Sequence, residues 1–126
     1  MGDFGLSALG QISMNAKDLG RATAFYRDVL GLPLLFEVPK MAFFQAGEVR
    51  LMLATPENPE YDHPGSILYF RVDDLGEAHR ELTGRGVPFD AEPTLIADMG
   101  DHELWMAFFK DTESNQLALM SEVPKA

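Results

Sequence analysis

Residues 10–33, which read GQISMNAKDLGRATAFYRDVLGLP, decide the fold. Polar and apolar side chains alternate up to Ala16, as they do in a β-strand with one packed face. Asp18 then stands at the position of a helix N-cap, and apolar residues recur at helical spacing until Gly31, which is followed at once by Leu32 and Pro33. The stretch therefore predicts a strand followed by an amphipathic helix.

A weaker copy of this pattern begins at residue 65 and reads GSILYFRVDDLGEAHRELTGRGVP. The tripeptide DLG at residues 18–20 recurs at residues 74–76, and MAFF at residues 41–44 recurs at residues 106–109. Because the strand, the cap, the helix and a later strand all repeat in the same order, the chain predicts two copies of one β-α unit.

The strands expected after the first helix complete a βαβββ module. These strands are short and separated by turns, and they lie near residues 34–38, 41–45 and 49–54. The first module covers about residues 9–54, a linker with prolines and acidic residues covers about residues 55–65, and the second module covers about residues 66–121. We expect both modules to form one domain spanning residues 1–126.

The second half is about ten residues longer than the first, and the extra residues fall within residues 90–105. We expect them to form a loop, because function is often placed on loops of a rigid scaffold. The stretch DMGDHELW, residues 98–105, contains His102 among carboxylates, which is the chemistry of a metal ligand or a general base. Trp105, the only tryptophan, is expected either as an aromatic wall beside His102 or as core filling.

Composition limits the classes of function. The chain has 126 residues, no cysteine and a net charge of −10, with 10 basic and 20 acidic residues. The acidity disfavours nucleic acid as a partner, since phosphate contacts need clustered Lys and Arg. No apolar run is long enough for a membrane helix. The absence of cysteine excludes a disulfide or a catalytic thiol. We expect a cytoplasmic protein.

Three motifs resemble those of the vicinal oxygen chelate superfamily, which includes glyoxalase I, extradiol dioxygenases and the bleomycin-resistance proteins. They are AFYRDVLGLPL, FRVDDL and FFKDTESNQLALM. The last is a loosened form of the family's F-x-D-P-x-G-N turn, with Thr112 and Ser114 in place of Pro and Gly. The resemblance implies an α+β fold in which two tandem βαβββ modules form a curved, half-open mixed sheet around a cleft, with the helices outside. It also implies a homodimer.

Metal-binding members of that superfamily place four ligands on the cleft face, and these positions map onto Gln11, Met52, Ile67 and Ala118. Ile and Ala have no lone pair to offer, Met has only a soft thioether, and Gln is a weak oxygen ligand. A divalent ion needs three or more nitrogen or oxygen ligands. The resemblance therefore implies that the usual metal site is missing, and we expect no cofactor.

Strand alternation predicts a cleft face that is mainly apolar and has a few polar side chains. This composition is usual for a small-molecule pocket. The expected ligand-binding residues are Gln11, Ser13, Asn15, Arg50, Met52, Ile67, Tyr69, Arg71, Trp105, Ala118 and Met120. If Arg50 and Arg71 both reach the cleft, they offer bidentate hydrogen bonds to an anionic ligand; otherwise they pair with surface carboxylates.

Three functions remain open at this point. The first is a metal-free small-molecule binder that resembles the bleomycin-resistance branch; the acidity suits a cationic ligand, whereas the arginines argue against one. The second is a metal-dependent lyase, isomerase or dioxygenase with a non-standard site around Gln11 and His102, or with His102 as general base. A scaffold used only for association is a third. His63 and His79 are expected to be structural or exposed.

Overall fold

The computed structural model describes residues 4–6, 8–57, 59 and 65–125, so that His63 and part of the predicted linker lie outside the described residues. The chain divides between residues 63 and 64 into two compact units, which we call unit 1 and unit 2. Each unit is a βαβββ module with a four-stranded mixed sheet. The predicted α+β class and the two tandem modules are confirmed. No helix within the described ranges is both long and apolar enough to cross a membrane.

The described residues of unit 1 include four strands and the helix α1. Their bounds are β1 Gln11–Asn15, α1 Leu19–Ala24, β2 Leu34–Val38, β3 Met41–Ala46 and β4 Val49–Ala54. The strand order is β1-β4-β3-β2, with β1 parallel to β4 and the other neighbours antiparallel. A parallel pair requires a crossover connection, and the crossover here includes α1.

The predicted cap and stop of α1 are both present. The Asp18 carboxylate accepts a hydrogen bond from the Arg21 amide at 3.1 Å. The helix then continues as a π-helical segment, Phe25–Val29, before Gly31 adopts a positive φ of 78°. Tyr26 in this segment is fully buried, and its ring lies 5.9 Å from that of Phe44 in β3. The helical stretch therefore covers one face of the sheet.

The elements of unit 2 repeat this arrangement. Their bounds are β5 Leu68–Arg71, α2 Leu75–Gly84, β6 Thr94–Asp98, β7 His102–Lys110 and β8 Gln116–Pro124, in the sheet order β5-β8-β7-β6. Asp74 caps α2 by accepting a hydrogen bond from the Glu77 amide at 3.0 Å. Phe109 and Leu117 are fully buried in the core of this unit. His79 in α2 packs its ring 4.3 Å from that of Phe89.

The extra residues of the second half are only partly a loop, because residues 89–93 precede β6 whereas residues 102–105 belong to β7. β6 ends at Asp98, three turn residues follow, and β7 begins at His102. β7 pairs with β8 from His102–Pro124 to Lys110–Gln116. β8 runs past the predicted module end at residue 121, which gives the backbone of residues 102–105 a hydrogen-bonding partner. About four of the ten additional residues therefore lengthen β7, and the others lie ahead of β6 and in the turn after it.

The motif FFKDTESNQL forms the tight turn between β7 and β8. Asp111 is only 7% exposed, and its Oδ1 accepts hydrogen bonds from the Glu113 and Asn115 amides, both at 2.8 Å. Its Oδ2 accepts another from the Asn115 side-chain amide at 2.9 Å. Ser114 has a φ of 68°, in the left-handed region that favours the glycine of the family motif. Asp111 therefore organises the turn that leads into β8.

Candidate functional site

The side of the unit 1 sheet opposite α1 carries the polar residues expected to face a ligand. Backbone pairing places Gln11 beside Arg50 and Ser13 beside Met52, while Phe43 pairs with Met52 from the other side. Directly paired residues and residues two apart share a face of a sheet. We call this surface the open face of unit 1, and it contains Gln11, Ser13, Asn15, Phe36, Phe43, Arg50 and Met52.

Arg50 is held in place on this open face by neutral groups. Its Nε donates a hydrogen bond to Gln11 Oε1 at 2.7 Å, and its guanidinium carbon lies 5.5 Å from the centre of the Phe43 ring. Phe36 stacks on Phe43 with the ring centres 4.4 Å apart. The Gln11 Nε2 has the weakly accepting Met52 sulfur as its neighbour at 3.9 Å. A positive charge thus stands beside an aromatic pair.

The equivalent surface of unit 2 is centred on Ala118. Ala118 pairs with Tyr69 on one side and Phe108 on the other, and the Tyr69 ring meets the Phe108 ring edge-on at 6.1 Å. We call this surface the open face of unit 2; it contains Tyr69, Arg71, His102, Leu104, Met106, Phe108, Ala118, Met120 and Glu122. Ala118 is fully buried among its neighbours, and Ile67 lies just before β5 with 43% exposure.

A row of charged groups runs along one end of the open face of unit 2. Arg71 lies 4.0 Å from a Glu122 oxygen, and the other Glu122 oxygen lies 3.5 Å from His102 Nε2. His102 Nδ1 lies 2.7 Å from the Asp101 carboxylate, and this hydrogen bond lowers the pKa of the Asp101 carboxyl below its ordinary value. Both ring nitrogens of His102 therefore face carboxylates, and Arg71 already has a carboxylate nearby.

Trp105 lies on the other side of the unit 2 sheet. It pairs with Ser121, whereas its neighbour Met106 pairs with Met120 of the open face. On the α2 side it lines a pocket of about 460 Å³ together with Glu103, Ser121 and the start of α2. Its indole N–H donates to Glu103 Oε1 at 3.3 Å. The structure therefore separates Trp105 from His102 and from the other predicted ligand-binding residues of this unit.

Comparison with known families identifies the fold. Residues 8–120 match the model of the Glyoxalase/Bleomycin resistance protein/Dioxygenase superfamily. The chain belongs to this superfamily. The resemblance found in the sequence motifs is thereby confirmed. A search of curated protein sequences gives no match.

Solved structures share the superfamily fold along nearly the whole chain. A lactoylglutathione lyase from Agrobacterium tumefaciens matches with a TM-score of 0.78 and 24% identity, over 93% of this chain and 95% of that one. The antibiotic-binding protein TnmS3 from Streptomyces sp. CB03234 matches with a TM-score of 0.74 and 23% identity, over 98% and 100% of the two chains. A superfamily member from Sphaerobacter thermophilus DSM 20745 gives 0.75 and 23%, over 93% and 98%. At these identities the matches establish the fold alone.

The residues expected at the superfamily's metal-ligand positions do not fit a divalent ion. The Gln11 oxygen already accepts a hydrogen bond from a guanidinium, which places a cation beside the one oxygen donor of the set. Met52 offers a thioether, and Ile67 and Ala118 offer no donor atom. Within the described part of the chain, no three or more His, Asp or Glu side chains converge as metal ligands.

Sequence reasoning named Gln11 and Arg50 separately and missed the hydrogen bond that joins them. It also missed Phe36 and Phe43, although the alternation in MAFF places Phe43 on the same side as Met41. The pocket beside Trp105 had no signal in the sequence, because its lining comes from β7, β8 and the start of α2, which are separate in the chain.

Proposed function

We propose that this superfamily member binds a small organic molecule on the open faces of its sheets and does so without a metal ion. The observation that carries the proposal is the hydrogen bond of 2.7 Å from Arg50 to Gln11. Gln11 supplies the one oxygen donor at the superfamily's expected ligand positions, and this oxygen already accepts a hydrogen bond from the Arg50 guanidinium. With Ile67 and Ala118 unable to coordinate, chelation of substrate oxygens by a metal at these positions has no support.

The side chains of the open faces favour an organic ligand. Phe36 is 47% exposed and Tyr69 is 46% exposed, although both are large aromatic residues. When a ligand covers exposed apolar area of this kind, the removal of that area from water stabilises the complex by about 25 cal/mol per Å². A few polar groups, such as Ser13 and Arg50, lie among the apolar ones. This mixture is typical of sites that bind small molecules.

The solved structures with this fold include both a protein described as antibiotic-binding and one described as a lactoylglutathione lyase. The fold by itself is therefore compatible with a binder and with an enzyme. The residues at the ligand positions of this chain favour the binder.

The test is a fragment screen on protein stripped of metal with a chelator. We expect aromatic fragments to shift backbone amide signals of β1, β3 and β4, or of β5 and β8. We also expect unchanged affinities when manganese, iron, cobalt, nickel or zinc is added, or when the chelator is kept present. Binding that appears only with a metal would contradict the proposal, as would a screen in which no fragment binds.

A metal-dependent outcome would direct attention to the alternative enzyme with Gln11 and His102. His102 lies between two carboxylates, at 2.7 Å from Asp101 and 3.5 Å from Glu122. In that case His102→Ala abolishes turnover while the circular dichroism spectrum stays unchanged. Unchanged turnover in the variant would remove His102 from the chemistry.

We further propose that two copies associate as a homodimer, which sedimentation velocity tests directly; a single species at the mass of one chain, 14.0 kDa, would refute it.

A cytoplasmic location and the absence of nucleic-acid binding stay predictions from the composition. The excess of acidic over basic residues supports the second of these.

A further inference from the structure

We infer that the open face of unit 1 selects an anionic ligand with an aromatic or otherwise flat apolar body, and that Arg50 binds its negatively charged group. This inference rests on the proposed function, since it concerns the chemical class of the molecule bound there. It is carried by three features of the same surface: the surroundings of Arg50, the orientation of its guanidinium and the aromatic pair beside it.

The first feature is that Arg50 has no carboxylate partner among the described residues, although acidic residues outnumber basic ones by 20 to 10. Arg27 shows the usual arrangement, with Nε at 2.8 Å and Nη2 at 3.0 Å from the two oxygens of Asp28. This pair raises the pKa of the Arg27 guanidinium. Within the described ranges Arg50 has an amide oxygen and an aromatic ring as its partners, so its charge is left for an external anion.

The second feature is the way Gln11 and Phe43 hold the guanidinium. The hydrogen bond to Gln11 uses Nε of Arg50, and the guanidinium carbon lies over the Phe43 ring, 5.5 Å from its centre. Within the described ranges no hydrogen bond from the two terminal nitrogens of Arg50 is formed. These nitrogens carry the forked N–H groups that bind a carboxylate in bidentate fashion. Because the stem is already fixed, less side-chain entropy is lost when the anion binds.

The third feature is the apolar surface next to the charge. Phe36 and Phe43 stack with their ring planes 21° apart, and Met52 pairs with Phe43 along the strands. Phe43 is buried at 9% exposure and Phe36 is 47% exposed, so a flat aromatic body can lie on Phe36 while its anionic group reaches Arg50. The Gln11 Nε2, which faces the weakly accepting Met52 sulfur at 3.9 Å, offers a further donor to the same group.

The net charge of −10 opposes an anion at long range and does not decide the outcome at contact. At physiological ionic strength the Debye length is about 8 Å, so distant carboxylates are largely screened. Charge-assisted hydrogen bonds to Arg50 act at about 3 Å, well inside that length. The local cation therefore determines which charge this surface prefers.

The test compares 2-naphthoate with its neutral analogue 2-naphthamide by calorimetry and by amide shifts in β1, β3 and β4. We expect naphthoate to bind about tenfold more tightly or better, the effect of a hydrogen bond to a charged group. Arg50→Gln should reduce this preference to less than about threefold. Arg27→Gln removes the same charge from an ion-paired arginine outside the open face and should leave the preference intact.

Equal affinities for the two probes in the wild-type protein would overturn the inference while leaving the proposed binding function standing. The same holds if Arg50→Gln keeps the full preference for naphthoate. If neither probe binds the wild-type protein, the inference is overturned, and the proposed function then depends on the wider fragment screen. Should Arg50→Gln fail to fold, Gln11→Glu neutralises Arg50 internally; it must also abolish the preference, and a retained preference refutes the inference.

Discussion

Replacing Asp111 by alanine should destabilise the protein by about 3 kcal/mol. The carboxylate accepts three hydrogen bonds, two from backbone amides at 2.8 Å and one from the Asn115 side chain at 2.9 Å. Hydrogen bonds to charged groups contribute about 1.5–3 kcal/mol each, which would give a larger sum. Glu113 and Asn115 are only half-buried, however, so water replaces part of what the carboxylate provides. Asp111→Asn keeps one acceptor oxygen and should cost about 1–2 kcal/mol.

The assay is equilibrium unfolding in urea, with the slope of the transition compared between variants. With a slope of about 2 kcal/mol per molar, Asp111→Ala should lower the midpoint by about 1.5 M without changing the slope. Asp90→Ala is the matched control, because the Asp90 side chain forms no hydrogen bond within the described residues. Its backbone amide keeps its hydrogen bond to the Phe108 carbonyl in the variant. We expect less than about 0.5 kcal/mol for that control.

If Asp111→Ala unfolds at the same urea concentration as Asp90→Ala, the predicted destabilisation is wrong. Such a result would mean that strand pairing alone holds the β7–β8 turn. The Asp111 carboxylate would then make no contribution to the free energy of unfolding. A changed slope would instead indicate that the unfolded or folded state had altered in compactness, and the free-energy comparison would no longer apply.

Two further predictions concern stability. Ser114→Gly should raise the free energy of unfolding by about 0.5–1 kcal/mol, because Ser114 has a φ of 68° that glycine adopts without steric cost; a loss of stability in the same urea assay would contradict this. The pKa of the Asp98 carboxyl is lowered by the hydrogen bond from Lys125 at 2.7 Å and by the Gly100 amide. Its stabilising contribution is therefore present above its unfolded pKa of about 3.9 and is lost as the pH falls through the lower folded value. Asp98→Asn should accordingly be less stable than wild type at pH 7 and equally stable near pH 2, and a pH-independent difference would exclude this linkage.

Local patterns were sufficient for the secondary structure of most of the chain. Asp18 and Asp74 cap their helices as expected, and β2 to β4 lie within a residue of their predicted bounds. These features depend on residues close together in sequence, such as a cap and the amide three residues later. The strand segments at residues 94–98 and 102–105 were expected as part of a loop, because a loop and a strand with polar ends look alike until the partner strand is known.

The candidate site was predictable as a set of strand positions but not as a set of contacts. Gln11, Ser13, Arg50 and Met52 were expected on one surface, and the structure brings them together. Trp105 was expected with the second-unit candidates and lies on the other side of its sheet. Trp105 was expected in a loop beside His102, whereas in β7 it alternates with Met106 and therefore lies on the opposite face.

The superfamily and the duplicated βαβββ modules could be predicted from the sequence alone, because caps, periodicity and motifs are local properties of the chain. Tertiary structure decided how the candidate residues act. The parallel pairing of β1 with β4 joins Gln11 to Arg50 across 39 positions of sequence, and the antiparallel pairing of β3 with β4 places Phe43 beneath the same guanidinium. Neither contact follows from any local pattern, because both depend on the register of strands that are distant or reversed in the chain.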